Sequence, residues 1–233
     1  MMVRDGLERQ LNPEEFRARR GSTEEASPFQ GRGTLYFLSL RNDQKALVRR
    51  YRHGGFLRHL TGDYFVTWPP RPFKELAVIE EAAHRGVPTL EVIGACVERI
   101  WGPFYRGWLV TRELREAHDL WSALRNELYG SNSMDSLLRA VAQSVRRMHR
   151  RGIYHGDLNL KNILVRLEEN GLRSYVIDFD KATLFSSDTP PRKVQRNLNR
   201  LLRSARKLDP TGQFLTSEAW SRFLQLYWEA REE

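Results

Sequence analysis

The chain has 233 residues, 38 Lys and Arg against 29 Asp and Glu, and a net charge of +9. A hydrophobic content of 40% suits a folded core and excludes a disordered chain, and no apolar run approaches the ~18 residues that a spanning helix needs. The one cysteine, Cys96, excludes an internal disulfide and a cysteine-based metal cluster, and it reads as core filler.

The basic balance favours an anionic partner: nucleotide, nucleic acid, anionic lipid or phosphorylated sugar. The N-terminus lacks the apolar core of a secretory leader, so a cytoplasmic chain is expected. Residues 1–28 are charged and read as an N-terminal arm. Phe29 to Leu38 predicts a strand pair opening on Gly31-Arg32-Gly33, whose glycines would let a backbone approach phosphate. Tyr36 stands where the third glycine of G-x-G-x-x-G would fall, so an ordinary hairpin turn is the competing reading.

Lys45 to Arg52 predicts a strand, on which Arg49 can grip phosphate through its planar fork. Arg52 and Arg58 flank the paired glycines Gly54 and Gly55, a loop able to meet anions or a membrane face. Phe73 to Arg85 predicts a helix with Phe73, Leu76, Ile79 and Ala83 on its apolar side, ended by Gly86 and Pro88. Residues 90–100 and 104–111 read as strands completing a five-stranded sheet. Two helices follow, at about Leu120 to Leu128 and Met134 to Arg151. The second carries Leu137, Leu138, Val141, Val145 and Met148 on one face, with Ser133 as its candidate cap.

The chemistry concentrates in Tyr154 to Val165 and Tyr175 to Asp180. Ile163 to Leu167 and Ser174 to Ile177 are β-rich runs separated by Glu168-Glu169-Asn170-Gly171, and Asn-Gly is a hairpin-turn signal. A fold at about residue 170 sets Asn162 opposite Asp178, roughly 5 Å apart, with Asp157 just upstream. An amide oxygen and a carboxylate with room for water and phosphate suit Mg²⁺. A further carboxylate, Asp157, can take or orient the proton of an attacking hydroxyl. His155 reads as scaffold.

Beyond Pro190-Pro191, Arg192 to Lys207 predicts a helix with Val194, Leu198, Leu201 and Ala205 on one face. Arg196, Arg200, Arg203 and Lys207 fall on another, as a solvated face or as a stripe meeting an anionic surface. A last helix starts near Thr216 and carries Trp220, Phe223, Leu224, Tyr227 and Trp228, read as core packing.

His155-Gly156-Asp157 through Asn162, then Asp178-Phe179-Asp180, resembles the protein-kinase catalytic loop and D-F-G. The resemblance implies an α+β, protein-kinase-like fold of two lobes. A five-stranded antiparallel N-lobe would span residues 29–111 and a compact, mostly helical C-lobe residues 112–233. It implies ATP and Mg²⁺ as cofactors, with Asp157 catalytic and Asn162 and Asp178 on the metal. Gly31, Gly33 and Arg49 would hold the nucleotide phosphates. Glu75 would fix Arg49, with Glu80 and Glu81 as competitors, and backbone groups near Thr111 to Glu113 would meet the adenine edge. Gly156 replaces the arginine of H-R-D, which speaks against control by activation-loop phosphorylation, and Asp180 replaces the glycine of D-F-G, which should make that segment less prone to flip.

More narrowly, the chain resembles the lipopolysaccharide kinase family, the 3-deoxy-D-manno-octulosonic acid (Kdo) kinases. The carrying blocks are Gly31 to Gly33, Val48 to Gly55, Phe73 to Glu75, Gly86 to Pro88, His155 to Leu164, Ile177 to Asp180 and Asn199 to Ser204. Several members have alanine or another small residue at the position of Gly156. The family implies phosphorylation of a Kdo hydroxyl on Kdo-lipid A at the cytoplasmic face of the inner membrane. Arg52, Arg58, Arg196, Arg200 and Arg203 would approach that anionic acceptor or the membrane surface, and no nucleic-acid partner is expected. A different acceptor (core heptose, small molecule or protein) and a non-catalytic nucleotide-binding module are the alternatives.

Overall fold

Alternating apolar and polar residues build the first half of the molecule. In the computed structural model, which describes residues 2–3, 35–40, 44–52, 63–130 and 133–230, the chain divides into two units. One comprises Met1–Glu80 with Leu90–Glu113, the other Glu81–Thr89 with Leu114–Glu233.

The first unit contains β1 (Met2–Val3), β2 (Leu35–Ser39), β3 (Lys45–Arg50), most of α1 (Arg71–His84), β4 (Val92–Trp101) and β5 (Phe104–Arg112). The strands form one antiparallel sheet in the order β1-β4-β5-β3-β2. Four of its strands are those expected from the sequence. The remaining position is held by the two residues of β1 at the edge, whereas the strand expected before residue 35 lies outside the described residues. Strand periodicity puts Tyr36, Leu38, Ala46 and Val48 on one face, where they pack with Ile93, Cys96, Trp108 and Val110. Cys96 is indeed a buried core residue.

Helix α1 starts one residue before Pro72, which needs no N–H partner there. Pro72 packs where a Cβ on Gly107 of β5 would come within 2.3 Å of its ring, so only glycine permits this approach of helix to strand. The buried stripe of α1 runs through Pro72, Glu75, Leu76, Ile79 and Ala82. Ala83, expected inside, is exposed, and the stripe is turned so that Glu75 lies in its middle.

The second unit contains β6 (His118–Asp119), α2 (Leu120–Arg125), α3 (Met134–Arg150), β7 (Ile153–Tyr154), β8 (Ile163–Glu168), β9 (Gly171–Val176), β10 (Thr183–Leu184), α4 (Pro191–Leu208) and α5 (Ser217–Glu229). A three-stranded sheet β6-β8-β9 and the pair β7-β10 carry the catalytic segment. Helix α3 buries the five apolar residues expected of it. Its start differs from the expectation: Ser133 makes no side-chain cap bond. Asp119 caps α2 and Thr216 caps α5 through side-chain oxygens that accept from Ser122 N and Ala219 N. Helix α5 packs on α3 through Phe223, Leu226 and Tyr227, while Trp228, expected in the core, is 57% exposed.

Candidate active site

The hairpin forms, with a register one step from that expected. Glu168 pairs with Gly171 and Ile163 with Val176, so Glu169-Asn170 make the two-residue loop. Asn162 therefore lies opposite Ile177, whose N–H donates to the Asn162 carbonyl at 3.0 Å. Asp178 is the next residue and leaves the ladder in the left-handed conformation, φ 67° and ψ 65°. Aspartate tolerates that region better than most residues, and such local strain is concentrated at functional sites.

The loop before the hairpin is held by its own side chains. Asn159 Nδ2 and Asn162 Nδ2 both donate to the Asp157 carbonyl, at 2.9 and 3.0 Å. The Asp157 N–H donates to His155 Nδ1 at 3.3 Å, and His155 Nε2–H donates to the Ile177 carbonyl at 2.8 Å. One imidazole thus ties the Asp157 loop to the strand end that carries Asp178. His155 is fully buried against the Phe179 ring. Burial pushes its pKa down, while the bond to Ile177 and the nearby Asp178 and Asp157 carboxylates push the other way. Both carboxylates therefore bear on the same ring. His155 is scaffold, as its place in the motif suggested.

Behind the loop runs a buried polar chain. Asn197 Oδ1 accepts from the His155 N–H at 3.2 Å and from His149 Nε2–H at 3.0 Å, and His149 Nδ1 accepts from Tyr227 at 2.8 Å. Burial lowers the His149 pKa to about 4, so this ring is neutral at pH 7. Ser204 Oγ accepts from the Leu160 N–H at 3.2 Å. Helix α4 is thereby joined to the catalytic loop at Asn197 and again at Ser204.

The Asp157 carboxylate has two cations beside it. Lys181 Nζ is 3.4 Å from Oδ2 and an Arg200 guanidinium nitrogen 3.9 Å from Oδ1. Arg200, expected at an acceptor or membrane surface, is at Asp157. Arg196 and Arg203 are exposed on the same helix. Sequence reasoning missed Lys181 and Asn197. Lys181 followed Asp178-Phe179-Asp180 without a motif of its own. Asn197 did leave a signal, a polar residue three after Val194 and four before Leu201 on an apolar helix face.

In the first unit Arg49 and Glu75 form the ion pair expected of them, at 2.5 Å, with Glu75 1% exposed. Tyr51 also donates to Glu75 Oε2, and the Arg49 guanidinium lies 4.9 Å from the Tyr51 ring centre. Glu80 and Glu81, the competitors, do not take this place; Glu81 instead pairs with Arg85. Thr111 lies inside β5 between Leu47 and Val92. The Arg112 and Glu113 N–H groups donate to Glu91 and Lys45 carbonyls, so these two donors serve the sheet instead of a ligand. Arg52 is half-buried just after β3; Gly31, Gly33 and Arg58 lie outside the described residues.

Gly156 has φ +72°, and a Cβ there would sit 2.2 Å from the Lys181 carbonyl oxygen. The neighbour is backbone and cannot swing aside. Gly156→Ala is therefore expected to cost at least about 1–2 kcal/mol from the left-handed conformation alone, a Tm fall of roughly 2–8 °C. Turnover should fall too, because the turn carrying Lys181 must move. Thermal unfolding at unchanged Tm would show that the loop has another backbone path.

A model of the lipopolysaccharide kinase (Kdo/WaaP) family matches residues 15–227. The chain belongs to that family. A 3-deoxy-D-manno-octulosonic acid kinase of Pasteurella multocida is 31% identical over 183 residues, 76% of this chain and 73% of the relative. One from Vibrio cholerae is 34% identical over 180 residues, 76% of this chain and 72% of the relative. Among solved structures, WaaP in complex with acyl carrier protein aligns with a TM-score of 0.57 and 22% identity, covering 95% of this chain and 88% of that one. That likeness supports a kinase-like mixed α/β fold. As a member of a kinase family, the chain is a phosphotransferase whose acceptor is a hydroxyl.

Proposed function

We propose that this chain transfers the γ-phosphoryl group of ATP to a hydroxyl of the Kdo sugar in the inner core of lipopolysaccharide, on Kdo-lipid A. The observation that carries this reading is the Asp157 loop. Its backbone is clamped by Asn159, Asn162 and His155, so its carboxylate is presented from a rigid support beside the strand end that bears Asp178. Asp157 accepts the proton of the acceptor hydroxyl. That oxygen bonds to the γ-phosphorus, the bond to the β–γ bridging oxygen breaks, and ADP leaves with the electron pair.

The donor set fits Mg²⁺. Asn162 Nδ2 is engaged by the Asp157 carbonyl, which leaves Oδ1 as the hard oxygen donor of this side chain, and Asp178 supplies a carboxylate at the same ladder end. Bound there, the ion would neutralise phosphate charge during transfer. Arg49, held by Glu75, takes the role of nucleotide-phosphate ligand, together with the Gly31 and Gly33 turn. The adenine edge is met near Thr111 and Glu113 through groups other than the two N–H donors used by the sheet. Mass spectrometry of the product from Kdo-lipid A, ATP and purified protein should find one added phosphate. Absence of that product would sink the reading.

A lipid-borne acceptor requires approach to a bilayer. Among the described residues no helix is long and apolar enough to cross one. Val66, Trp68, Ile100, Trp101 and Phe104 are exposed around the β4–β5 turn, with Trp101 stacked on Phe104 and Trp68 90% exposed. The bridge from Phe65 to Tyr105 brings the first two beside the turn. Exposed tryptophans suit the headgroup level of a membrane, and Arg52, Arg58, Arg196 and Arg203 suit its anionic surface. Trp101→Ser is expected to lower partitioning onto anionic phospholipid vesicles about 10-fold, read by co-sedimentation. Equal sedimentation of variant and wild type would remove this turn from the membrane reading.

A further inference from the structure

The acceptor named by the relatives is a sugar acid, and its carboxylate is ionised at neutral pH. Placing that anion beside the Asp157 carboxylate is repulsive. Two like unit charges about 6 Å apart still repel appreciably at an effective dielectric near 20. A site that takes such an acceptor needs positive charge next to its own base, with donor capacity to spare.

Lys181 and Arg200 meet this requirement. They straddle Asp157, one at each oxygen, at 3.4 and 3.9 Å. Charge-assisted bonds close to about 2.8 Å, so neither cation is drawn fully onto Asp157. Both are well exposed, 59% and 43% at the side chain, and among the described residues neither pairs with a second carboxylate. Lys181 has three donors, one of them directed at Asp157, and Arg200 a five-donor fork suited to a carboxylate.

Their supports are built rather than incidental. Arg200 lies on α4 between Asn197 and Ser204, the two points where that helix bonds the catalytic loop. Lys181 ends the short turn Phe179–Lys181, which begins beside the His155 ring and closes over Gly156. Cations that merely solvate a surface need no such anchoring.

We infer that Lys181 and Arg200 form a carboxylate-binding pair that holds the acid group of the acceptor beside Asp157, and so make the enzyme selective for acidic sugars. The inference rests on the functional reading above. In the free enzyme the pair leans on Asp157; with acceptor bound it bridges the two carboxylates and lets the hydroxyl approach the base.

The test compares a Kdo-bearing acceptor with its carboxyl methyl ester, in wild type and in Lys181→Met, Arg200→Gln and Lys181→Arg. Wild type should prefer the acid by about 10- to 100-fold in kcat/KM, the worth of one or two charge-assisted bonds. Lys181→Met and Arg200→Gln should bring the acid-to-ester ratio toward one, mainly through acceptor KM, with KM for ATP unmoved. Lys181→Arg should retain most of the preference. Wild type equally active on acid and ester overturns the inference, as does a parallel loss on both acceptors or a rise in KM for ATP instead. A wild-type enzyme that phosphorylates neither acceptor overturns the functional reading, and this inference with it.

Discussion

Asp157→Asn should reduce kcat by about 10²- to 10⁴-fold, the range associated with losing a positioned general base, while the protein folds as before. The separation follows from how the residue is held. Its backbone carbonyl receives Asn159 and Asn162, and its N–H donates to His155. Among the described residues the carboxylate itself meets only the partly exposed Lys181 and Arg200, at 3.4 and 3.9 Å. Pairs of that kind contribute little to stability, so the loop keeps its shape when the carboxylate becomes an amide. Tm should stay within about 2 °C of wild type, and ATP binding should persist. Single-turnover measurements with labelled ATP separate the two effects. Turnover within a few-fold of wild type would remove Asp157 from its role. A large fall in Tm would mean that its carboxylate supports the fold.

Asn197→Ala should act in the opposite way, on the fold first. Asn197 is fully buried, and its Oδ1 receives both His149 and the His155 backbone. Alanine would leave two buried donors without an acceptor, at about 1–3 kcal/mol each. The expected loss is roughly 2–6 kcal/mol, a Tm fall on the order of 4–24 °C. The same network makes the wild-type protein acid-sensitive. Burial depresses the His149 pKa from 6.5 to about 4 in the folded protein. Between those values the unfolded chain binds a proton that the folded chain refuses. The contribution is whole above pH 6.5 and is lost as pH falls to about 4, amounting to roughly 3 kcal/mol from this ring. Burial drives His155 in the same direction. Urea unfolding at pH 7 and pH 4.5 checks this, and equal midpoints would contradict a neutral, buried His149.

Much of the site is readable in the chain because it is local. Asp157, Asn162 and Asp178 fall within 22 consecutive residues, and a hairpin with a turn signal between two β-rich runs brings its ends together wherever the rest of the chain goes. The register was a finer matter. A two-residue loop at Glu169-Asn170 sets Asn162 opposite Ile177, whereas a three-residue loop running through Gly171 would set it opposite Asp178. The pairing of Arg49 with Glu75 was also legible, through the order of strand and helix in a known motif. The rotation of α1 that buries Ala82 and exposes Ala83 was not, since both are small apolar residues next to each other. Where Pro72 meets Gly107 settles it.

By itself the sequence determined the chemistry available here: two aspartates and an amide at kinase spacing, basic residues beyond them, and family membership. Only the tertiary structure decided which of the many cations stand at Asp157, and that Asn197 and His149 brace the loop from behind. The physical reason is range. Periodicity and turn chemistry act over a few residues and can be read along the chain. The meeting of α4 with a loop some 40 residues earlier depends on how whole helices pack, and many side chains of the same type compete for each place.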